Sequence, residues 1–251
     1  MREPADVLVA GAGPAGLALA LQAHDHGAAV RVVERRPTDV RPSRALILHA
    51  RTLEVLRPLG VTQALLAQAD IAPAADLRLG ARVVRVRFGA LALPDTAFPH
   101  LSLVRQMDVE RVLADALAGR GVEVERGTEL AAVRDEPGGV RAVLRTAAGS
   151  EEARFGFVAG CDGPASTVRA QAGLGWTGRV YPVEVVLADA ELDGDLPGDA
   201  AQVAAGRGGL LFASASASAR PGVCSRPVPR RRGGWNQGRS APRFSPATCR
   251  P

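Results

Sequence analysis

The hydrophobic pattern of residues 5–34 predicts a β-strand, a helix and a second β-strand. Residues 6–10 and 29–34 form short valine-rich runs, and the stretch between them at 17–26 is apolar on most sides. Strands that are apolar at nearly every position are typical of parallel sheets covered on both faces, whereas strands with one solvated face alternate. A glycine-rich turn separates the first run from the apolar stretch. The pattern therefore predicts one βαβ unit.

The next part of the chain changes from helical to strand-like spacing. Leucines three residues apart predict a helix from about residue 50 that ends at Pro58 and Gly60, and a second helix at 61–69. Residues 76–104 then alternate loosely between apolar and polar side chains, which is typical of antiparallel strands with one solvated face. We expect three arginines to lie on that solvated face: Arg82, Arg85 and Arg87.

The clearest amphipathic helix follows Asp108. Apolar residues at positions i, i+3, i+4, i+7 and i+8 from Val109 define one face, with Asp108 as the predicted N-cap and Gly119 at the end. Short glycine-containing turns then separate three predicted strands, which should form a β-meander. These strands lie near 122–134, 140–146 and 151–158.

The pattern changes abruptly near residue 213. A short helical segment at 166–171 and strand patterns at 183–192 and 209–213 complete the periodic part of the chain. Residues 214–251 show neither the strand nor the helix period, contain six prolines and have no acidic residue. We expect this segment to be disordered, and a reading-frame shift or similar scar near Ser214 would explain the change.

The positive charge of the chain resides in this last segment. The 251 residues carry a formal net charge of +5, and all 31 basic side chains are arginine. Residues 1–213 hold 23 arginines and 26 acidic residues, a net charge of −3, so the excess comes from the eight arginines of 214–251. Because that segment lacks the interleaved aromatic residues of a stacking platform, we expect no nucleic-acid partner.

Composition indicates a soluble, cytoplasmic protein. The 47% hydrophobic content is enough for a real core, three cysteines cannot form a disulfide framework, and no uncharged apolar stretch of 18 residues is present. We therefore expect no membrane partner, and the sequence contains no metal-ligand constellation.

The glycine turn has the spacing of a dinucleotide-binding loop. Gly11, Gly13 and Gly16 follow the first predicted strand; in this pattern they permit a tight turn, close approach of a pyrophosphate to the backbone, and close packing of helix on strand. Glu34 ends the second strand, where its carboxylate can accept both hydroxyls of an adenosine ribose and disfavours a 2′-phosphate. These residues leave FAD and NAD equally open, and a glycine-rich turn without a ligand is the alternative.

A second candidate site is Gly160-Cys161-Asp162-Gly163, directly after a predicted strand. An Asp-Gly pair followed by small residues lets a ligand approach the backbone closely, although an isolated pair is typical of an ordinary turn. Its position after the meander, together with the first motif, favours a ligand site.

In combination these motifs resemble the FAD-dependent aromatic hydroxylases, the single-component flavoprotein monooxygenases with the p-hydroxybenzoate hydroxylase fold. The resemblance covers about residues 5–213 and is strongest to the branch that acts on polyketide aromatics and phenols. It rests on GAGPAG, Glu34-Arg35-Arg36-Pro37, the run from Ser43 to Glu54, Gln106 and GCDGPASTVR.

The resemblance implies an α/β fold with two domains. A Rossmann-type FAD-binding domain with a β-meander would comprise 1–70 and 105–174. Part of an antiparallel substrate-domain sheet would comprise 71–104 and 175–213.

The resemblance also implies which residues hold the cofactor. The turn residues would cradle the FAD pyrophosphate, Glu34 would bind the adenosine ribose, and Arg35 would lie beside the adenine. Arg44 matches an arginine of the cofactor and pyridine-nucleotide region, and Gln106 a glutamine at the ribityl and pyrophosphate groups. Asp162 matches the acid of a motif that serves both FAD and NAD(P)H. The turn residues concerned are Gly11, Gly13, Pro14, Ala15 and Gly16.

The implied reaction is hydroxylation of a small aromatic substrate. NADPH or NADH would reduce the flavin, which activates O₂ for attack by an electron-rich ring, while the protein orients the reactants and excludes water. No catalytic residue is assigned: Cys161 is expected to be a buried small residue, and the four histidines to serve surface or packing roles. These are His24, His26, His49 and His100.

The chain departs from the family pattern in one respect. The second flavin motif of these hydroxylases, a Gly-Asp pair followed by small residues, has no counterpart; Gly194-Asp195 and Gly198-Asp199 are acidic loop turns. We therefore expect weakened FAD binding and an incomplete hydroxylase. Two alternatives stay open: a noncatalytic FAD-binding remnant and an NAD-dependent Rossmann oxidoreductase.

Overall fold

The structure, a computed structural model, describes seven stretches of the chain. They are residues 5–39, 47–90, 95–179, 183–190, 199–206, 209–214 and 222–229. The chain divides into two compact units, Met1–Ala69 with Leu103–Thr177 and Asp70–Ser102 with Gly178–Pro251.

The secondary structure alternates early and is dominated by strands later. The elements up to residue 103 are β1 (Val7–Ala10), α1 (Pro14–Asp25), β2 (Val30–Glu34), β3 (Ile47–Leu48), α2 (Ala50–Leu56), α3 (Thr62–Ala67), β4 (Asp70–Ala72), β5 (Ala74–Leu79), β6 (Arg82–Arg87) and β7 (Leu101–Leu103), with 3₁₀ turns at Arg57–Leu59 and Phe88–Ala90. They are followed by α4 (Gln106–Ala118), β8 (Val124–Arg126), β9 (Glu129–Glu136), β10 (Gly139–Thr146), β11 (Gly149–Phe155), β12 (Phe157–Gly160), α5 (Thr167–Gln171), β13 (Val183–Ala190), β14 (Ala200–Gly206), β15 (Gly209–Ser214) and β16 (Gly222–Pro229). None of the helices in the described stretches is long and apolar enough to cross a membrane.

A four-stranded parallel sheet of order β12-β1-β2-β8 forms the centre of the first unit. Val9 and Val32 belong to the core cluster that contains the apolar faces of α1 and α4. Leu8 and Val33 point to the opposite face and pack in a second cluster with residues of β9, β10 and β11. Because both faces are covered, every strand position favours an apolar residue. The βαβ unit predicted over residues 5–34 is confirmed.

The amphipathic helix begins two residues before the predicted N-cap. Helix α4 starts at Gln106 with Arg105 at the N-cap, so Asp108 lies in the first turn and the prediction that it caps the helix is wrong. The buried Asp108 carboxylate instead accepts hydrogen bonds from the guanidinium groups of Arg105 at 2.8 Å and Arg111 at 3.4 Å. A carboxylate in the first turn also interacts favourably with the positive end of the helix dipole. Asp108 therefore stabilises the helix start by charge rather than by capping.

Two glycines divide strands that the sequence pattern joins. The segment near 122–134 is β8 followed by β9, with Gly127 at φ +70° between them, and the segment near 151–158 is β11 followed by β12, with Gly156 between them. Strands β9, β10 and β11 pair antiparallel as the predicted meander, whereas β8 and β12 join the parallel sheet. The left-handed conformation of Gly127 lets the chain pass from the parallel sheet to the meander within two residues.

The second unit contains a six-stranded sheet of order β13-β16-β15-β14-β5-β6. Its neighbouring strands pair antiparallel except β5 and β14, which run parallel. The predicted strands near 183–192 and 209–213 are present as β13 and β15. Strand β14 is not predicted, because its sequence AAQVAAG has few of the β-branched or aromatic residues that mark strands. Pairing with two neighbours decides its conformation.

Strand β16 lies inside the segment 214–251 that we expected to be disordered. Its backbone pairs with β13 on one side and β15 on the other, so for Gly222–Pro229 the expectation of disorder is wrong. Ladders of main-chain hydrogen bonds need no periodic side-chain pattern, and composition alone therefore misses such a strand. The rest of that segment beyond Ser214 lies outside the described residues.

A row of polar side chains crosses the sheet of the second unit at Asp76. The strand register places Asp76 between Arg85 on β6 and Gln202 on β14. The Arg85 guanidinium donates to Asp76 through Nε at 2.7 Å and Nη2 at 3.0 Å and also binds Asp199, while Gln202 Nε2 donates to Asp76 at 3.1 Å. Arg82 and Arg87 are exposed as expected. Arg85 is exposed as well, and its guanidinium additionally binds a buried carboxylate.

Acid should weaken this polar row. Hydrogen bonds from Arg85 and Gln202 lower the pKa of Asp76 to about 2, below the value of ~3.9 in an unfolded chain. Because the folded-state pKa is the lower one, ionised Asp76 stabilises the fold above about pH 4, and the stabilisation is lost as the pH falls through about 2. We expect Asp76→Asn to unfold more readily than the unaltered chain at neutral pH, with the difference vanishing near pH 2 in unfolding followed by circular dichroism. Asp115→Asn, at an exposed carboxylate of α4, is the control; identical pH dependence in the two variants would contradict the assignment.

Candidate functional site

A cleft of about 350 Å³ lies at the carboxyl ends of the parallel strands in the first unit. Open parallel sheets place their ligand sites at this edge. Four segments line the cleft: the turn after β1, the residues after β2, the start of β9 and the loop after β12. The two sequence motifs, at residues 11–16 and 160–163 of the chain, therefore meet at one place.

Gly11 and Gly16 are required by the shape of the turn. Gly11 has φ +102°, and a Cβ on it would lie 2.3 Å from the carbonyl oxygen of Cys161. A Cβ on Gly16 would lie 2.0 Å from the carbonyl oxygen of Gly11. Both neighbours are backbone atoms that cannot rotate away, so any side chain would force β1, α1 and β12 apart.

Gly13 differs, because the space beside it is open. The nearest atom to a Cβ on Gly13 would be Glu110 Oε1 at 4.0 Å. Gly13 lines the cleft and occupies the N-cap of α1 without a side chain to bond the first N–H groups. Free N–H groups and the helix dipole favour an anion at such an end. Pro14 and Ala15 are the first residues of α1 and lie outside the cleft lining.

Glu34 at the end of β2 contributes a buried carboxylate, 6% exposed, to the cleft. The backbone N–H groups of Ala12 and Arg36 donate to its two oxygens, each at 3.0 Å, and the Arg36 guanidinium also binds both oxygens. Burial by itself would raise the pKa of Glu34, but these hydrogen bonds outweigh it and hold the pKa below its ordinary value. The cleft therefore contains an ionised acceptor beside the glycine turn.

The two arginines after Glu34 take different places. Arg35 is exposed and lines the cleft. Arg36 also lines it, but folds back onto Glu34 and leaves its Nη1 atom buried without a hydrogen-bond partner. Arg36 is not among the residues predicted from the sequence. The available signal is its spacing, since residues i and i+2 of an extended chain point to the same side.

Asp162 organises the loop after β12. Its Oδ2 accepts the backbone N–H of Thr167 at 2.6 Å and that of Val168 at 3.4 Å, at the start of α5. Its Oδ1 is buried and has no partner, and the residue lines the cleft. Gly163 takes φ +87°, which turns the chain toward the helix. Asp162 thus braces the loop with one oxygen and keeps the other unused beside the cleft.

Thr128 is a buried residue of the cleft lining that the sequence does not reveal. Its backbone N–H donates to the carbonyl oxygen of Glu34 at 3.1 Å. Nothing local marks this position, because β8 must first pair with β2 before the chain that follows it can reach Glu34.

Two predicted site residues remain, Gln106 and Arg44, and Cys161, expected to be a buried small residue, is only partly buried. Gln106, the first residue of α4, donates through Nε2 to Glu110 Oε1 at 2.8 Å, the same oxygen that faces Gly13, but it is not part of the lining. Cys161 lines the cleft, and burial together with the Asp162 charge raises the pKa of its thiol. Arg44 lies outside the described residues.

The cleft offers hydrogen bonding and charge rather than metal ligation. Within the described stretches no group of three or more histidine, cysteine or acidic side chains could hold a metal ion. The donors and acceptors of the cleft lining include backbone N–H groups, the carboxylates of Glu34, Glu129 and Asp162, and two arginines.

The chain matches the family model described as "FAD binding domain" over residues 4–217. A 6-methylpretetramide 4-monooxygenase of Streptomyces rimosus is 37% identical over 194 residues, which cover 77% of this chain and 34% of that protein. A rifampicin monooxygenase of Streptomyces venezuelae is 34% identical over 190 residues, which cover 74% of this chain and 38% of that protein. The chain thus spans just over a third of the length of these curated relatives.

The fold agrees with solved structures as well. A ternary complex of aklavinone-11 hydroxylase with FAD and aklavinone is 27% identical, with a TM-score of 0.74 over 91% of this chain and 46% of that one. The predicted α/β fold, of the p-hydroxybenzoate hydroxylase type, is therefore confirmed. With the glycine turn, Glu34 and the Asp162 loop gathered at one sheet edge and a family model that matches most of its length, the chain belongs to the FAD binding domain family.

Proposed function

We propose that the first unit binds FAD in the cleft, with the adenosine diphosphate part of the cofactor against Gly13 and Glu34. The observation that carries this proposal is the meeting of an open helix N-cap and a buried, ionised carboxylate at the carboxyl edge of a parallel sheet. A pyrophosphate needs N–H donors and an unobstructed backbone, and a ribose needs a hydrogen-bond acceptor. Both requirements are met within one cleft.

Two unsatisfied polar atoms support the same ligand. Arg36 Nη1 and Asp162 Oδ1 are buried without partners, and both residues line the cleft. A buried donor or acceptor without a partner costs about 1–3 kcal/mol. FAD carries both donors and acceptors, so its binding could recover part of this cost through small side-chain movements.

The residues of the chain would bind and orient the cofactor. Glu34 would accept the ribose hydroxyls, the N-terminus of α1 would oppose the pyrophosphate charge, and Asp162 would fix the loop that closes the cleft from the side of β12. The chemistry that bound flavin would supply is the acceptance of a hydride from NADPH or NADH and the activation of O₂. We assign no catalytic base.

We further infer that the chain is derived from a monooxygenase of small aromatic or polyketide substrates. The curated relatives are named for 6-methylpretetramide and rifampicin, and the solved complex contains aklavinone. The second unit, with its six-stranded sheet, would contribute part of a substrate-binding domain.

A titration with FAD tests the proposal directly. The full chain is expected to bind FAD and quench its fluorescence. Glu34→Gln should weaken binding about 10- to 100-fold, because hydrogen bonds to charged groups contribute about 1.5–3 kcal/mol. Glu136→Gln alters another arginine-paired glutamate outside the cleft lining and should bind like the unaltered chain. Unaltered FAD affinity in Glu34→Gln would contradict the assignment of Glu34.

Oxidation of NADPH and NADH by the FAD-loaded chain, with and without aromatic substrates, separates the alternatives. Substrate-stimulated oxidation with a hydroxylated product supports a monooxygenase. FAD binding without oxidation supports a noncatalytic remnant, and retention of NAD without flavin would support an NAD-dependent oxidoreductase.

A further inference from the structure

The ion pair between Arg36 and Glu34 fixes the orientation of the carboxylate at the cleft. Arg36 Nε donates to Oε1 at 2.9 Å and Nη2 donates to Oε2 at 3.3 Å. A two-point contact between a planar guanidinium and a carboxylate fixes both the position and the plane of the acid, which a single contact does not. The Arg36 backbone N–H, 3.0 Å from Oε1, adds a third constraint from the same residue.

The bonds to the two oxygens are not equivalent. Oε1 receives two short donors from Arg36, whereas Oε2 receives the Ala12 N–H at 3.0 Å and the longer guanidinium contact. Each carboxylate oxygen has two lone pairs. Both oxygens thus receive two donors, but the 3.3 Å guanidinium contact to Oε2 is the longest of the four, so a ligand donor would displace the weakest bond at Oε2. The other donor to Oε2, the Ala12 N–H, belongs to the glycine turn between Gly11 and Gly13.

Arg36 also retains a donor of its own. Its Nη1 is buried and unpartnered although the residue lines the cleft. An arginine that served only to neutralise Glu34 would lose nothing by leaving this nitrogen in solvent. Its burial indicates that the guanidinium is held in one orientation beside the ligand cleft.

We propose that Arg36 is a positioning residue which orients Glu34 so that Oε2 accepts a ribose hydroxyl, and that this pair makes the cleft distinguish a ribonucleotide from its 2′-deoxy form. The inference rests on the proposed function, since it concerns the adenosine side of the same cleft. The sequence motif attributes ribose recognition to Glu34 alone, whereas this inference makes it depend on Arg36 as well.

The test compares the affinities of ADP and 2′-deoxy-ADP, measured by calorimetry or by competition with FAD. We expect the unaltered chain to bind ADP about tenfold more tightly than 2′-deoxy-ADP. A tenfold difference in affinity corresponds to the free energy that about one charge-assisted hydrogen bond contributes. In Arg36→Met this ratio should fall to below about threefold, because Glu34 loses its fixed orientation. Arg141→Met is the matched control, since Arg141 binds Glu136 through the same Nε and Nη2 atoms outside the cleft lining, and it should keep the full ratio.

The outcomes separate the inference from the proposed function. If the unaltered chain binds FAD and Arg36→Met keeps the ADP preference, the role of Arg36 is overturned while FAD binding stands. If the unaltered chain binds neither FAD nor ADP, the proposed function fails and the inference fails with it. Should Arg36→Met not fold, as judged by thermal melting, Arg36→Lys takes its place. Lysine keeps the charge but not the two-point contact, so an intermediate ratio supports the proposal and an unchanged ratio overturns it.

Discussion

Gly16→Ala is expected to unfold the first unit or to destabilise it by about 3 kcal/mol or more, the cost of severe overpacking at a backbone contact. The added Cβ would lie 2.0 Å from the carbonyl oxygen of Gly11 and 3.1 Å from Cys161 Cβ. Relief requires α1 to move away from β1, and that movement would open the core that contains Leu17 and Leu21. Denaturant unfolding followed by circular dichroism measures the loss.

Gly175→Ala provides the control for this substitution. An added Cβ there would meet no atom within 4 Å, and the backbone lies outside the left-handed region. This variant should be as stable as the unaltered chain. A Gly16→Ala variant with unaltered free energy of unfolding would show that the turn is not packed as described.

Gly13→Ala is expected to leave the fold intact and to weaken FAD binding at least about tenfold, since a methyl group would stand where the pyrophosphate approaches the backbone. Gly13 has φ −78° and ψ 176°, which alanine adopts without strain, and its nearest neighbour would be 4.0 Å away. Replacement of glycine by alanine at an N-cap costs about 1 kcal/mol or less. Thermal melting together with an FAD titration measures the two effects separately.

The contrast between the two glycines makes this prediction specific. Gly16→Ala should lose FAD only because the unit unfolds, whereas Gly13→Ala should lose FAD while its melting temperature stays near that of the unaltered chain. Full FAD affinity in a folded Gly13→Ala variant would place the pyrophosphate elsewhere and contradict the proposed site.

Local sequence was sufficient to predict the elements that short-range hydrophobic patterns and glycine turns define. The β1–α1–β2 unit was predictable because its strands are short and valine-rich and its glycines mark a tight turn. The meander was predictable from alternation and glycine-containing turns, but its limits were not. Gly127 and Gly156 end strands only because the flanking segments join different sheets, and that choice depends on partners distant in the chain.

Strand β16 and helix α4 illustrate two further limits of prediction from the sequence. The composition of the segment after Ser214 gives no strand signal, and β16 exists through main-chain pairing with β13 and β15. Asp108 has the right identity for an N-cap, but the helix begins two residues earlier, at Gln106, and the Asp108 carboxylate is bound by Arg105 and Arg111 instead.

The sequence by itself determined the parallel βαβ core, the glycine turn and the acid at the end of β2, because each depends on residues close together in the chain. It also determined the family, through several motifs between Gly11 and Arg169. Tertiary structure alone decided that Thr128 reaches Glu34 and that Arg36 turns back onto the carboxylate. The physical reason is that a binding site combines backbone edges from several strands. Which edges meet is set by the strand order β12-β1-β2-β8, and that order depends on pairing between strands distant in the chain.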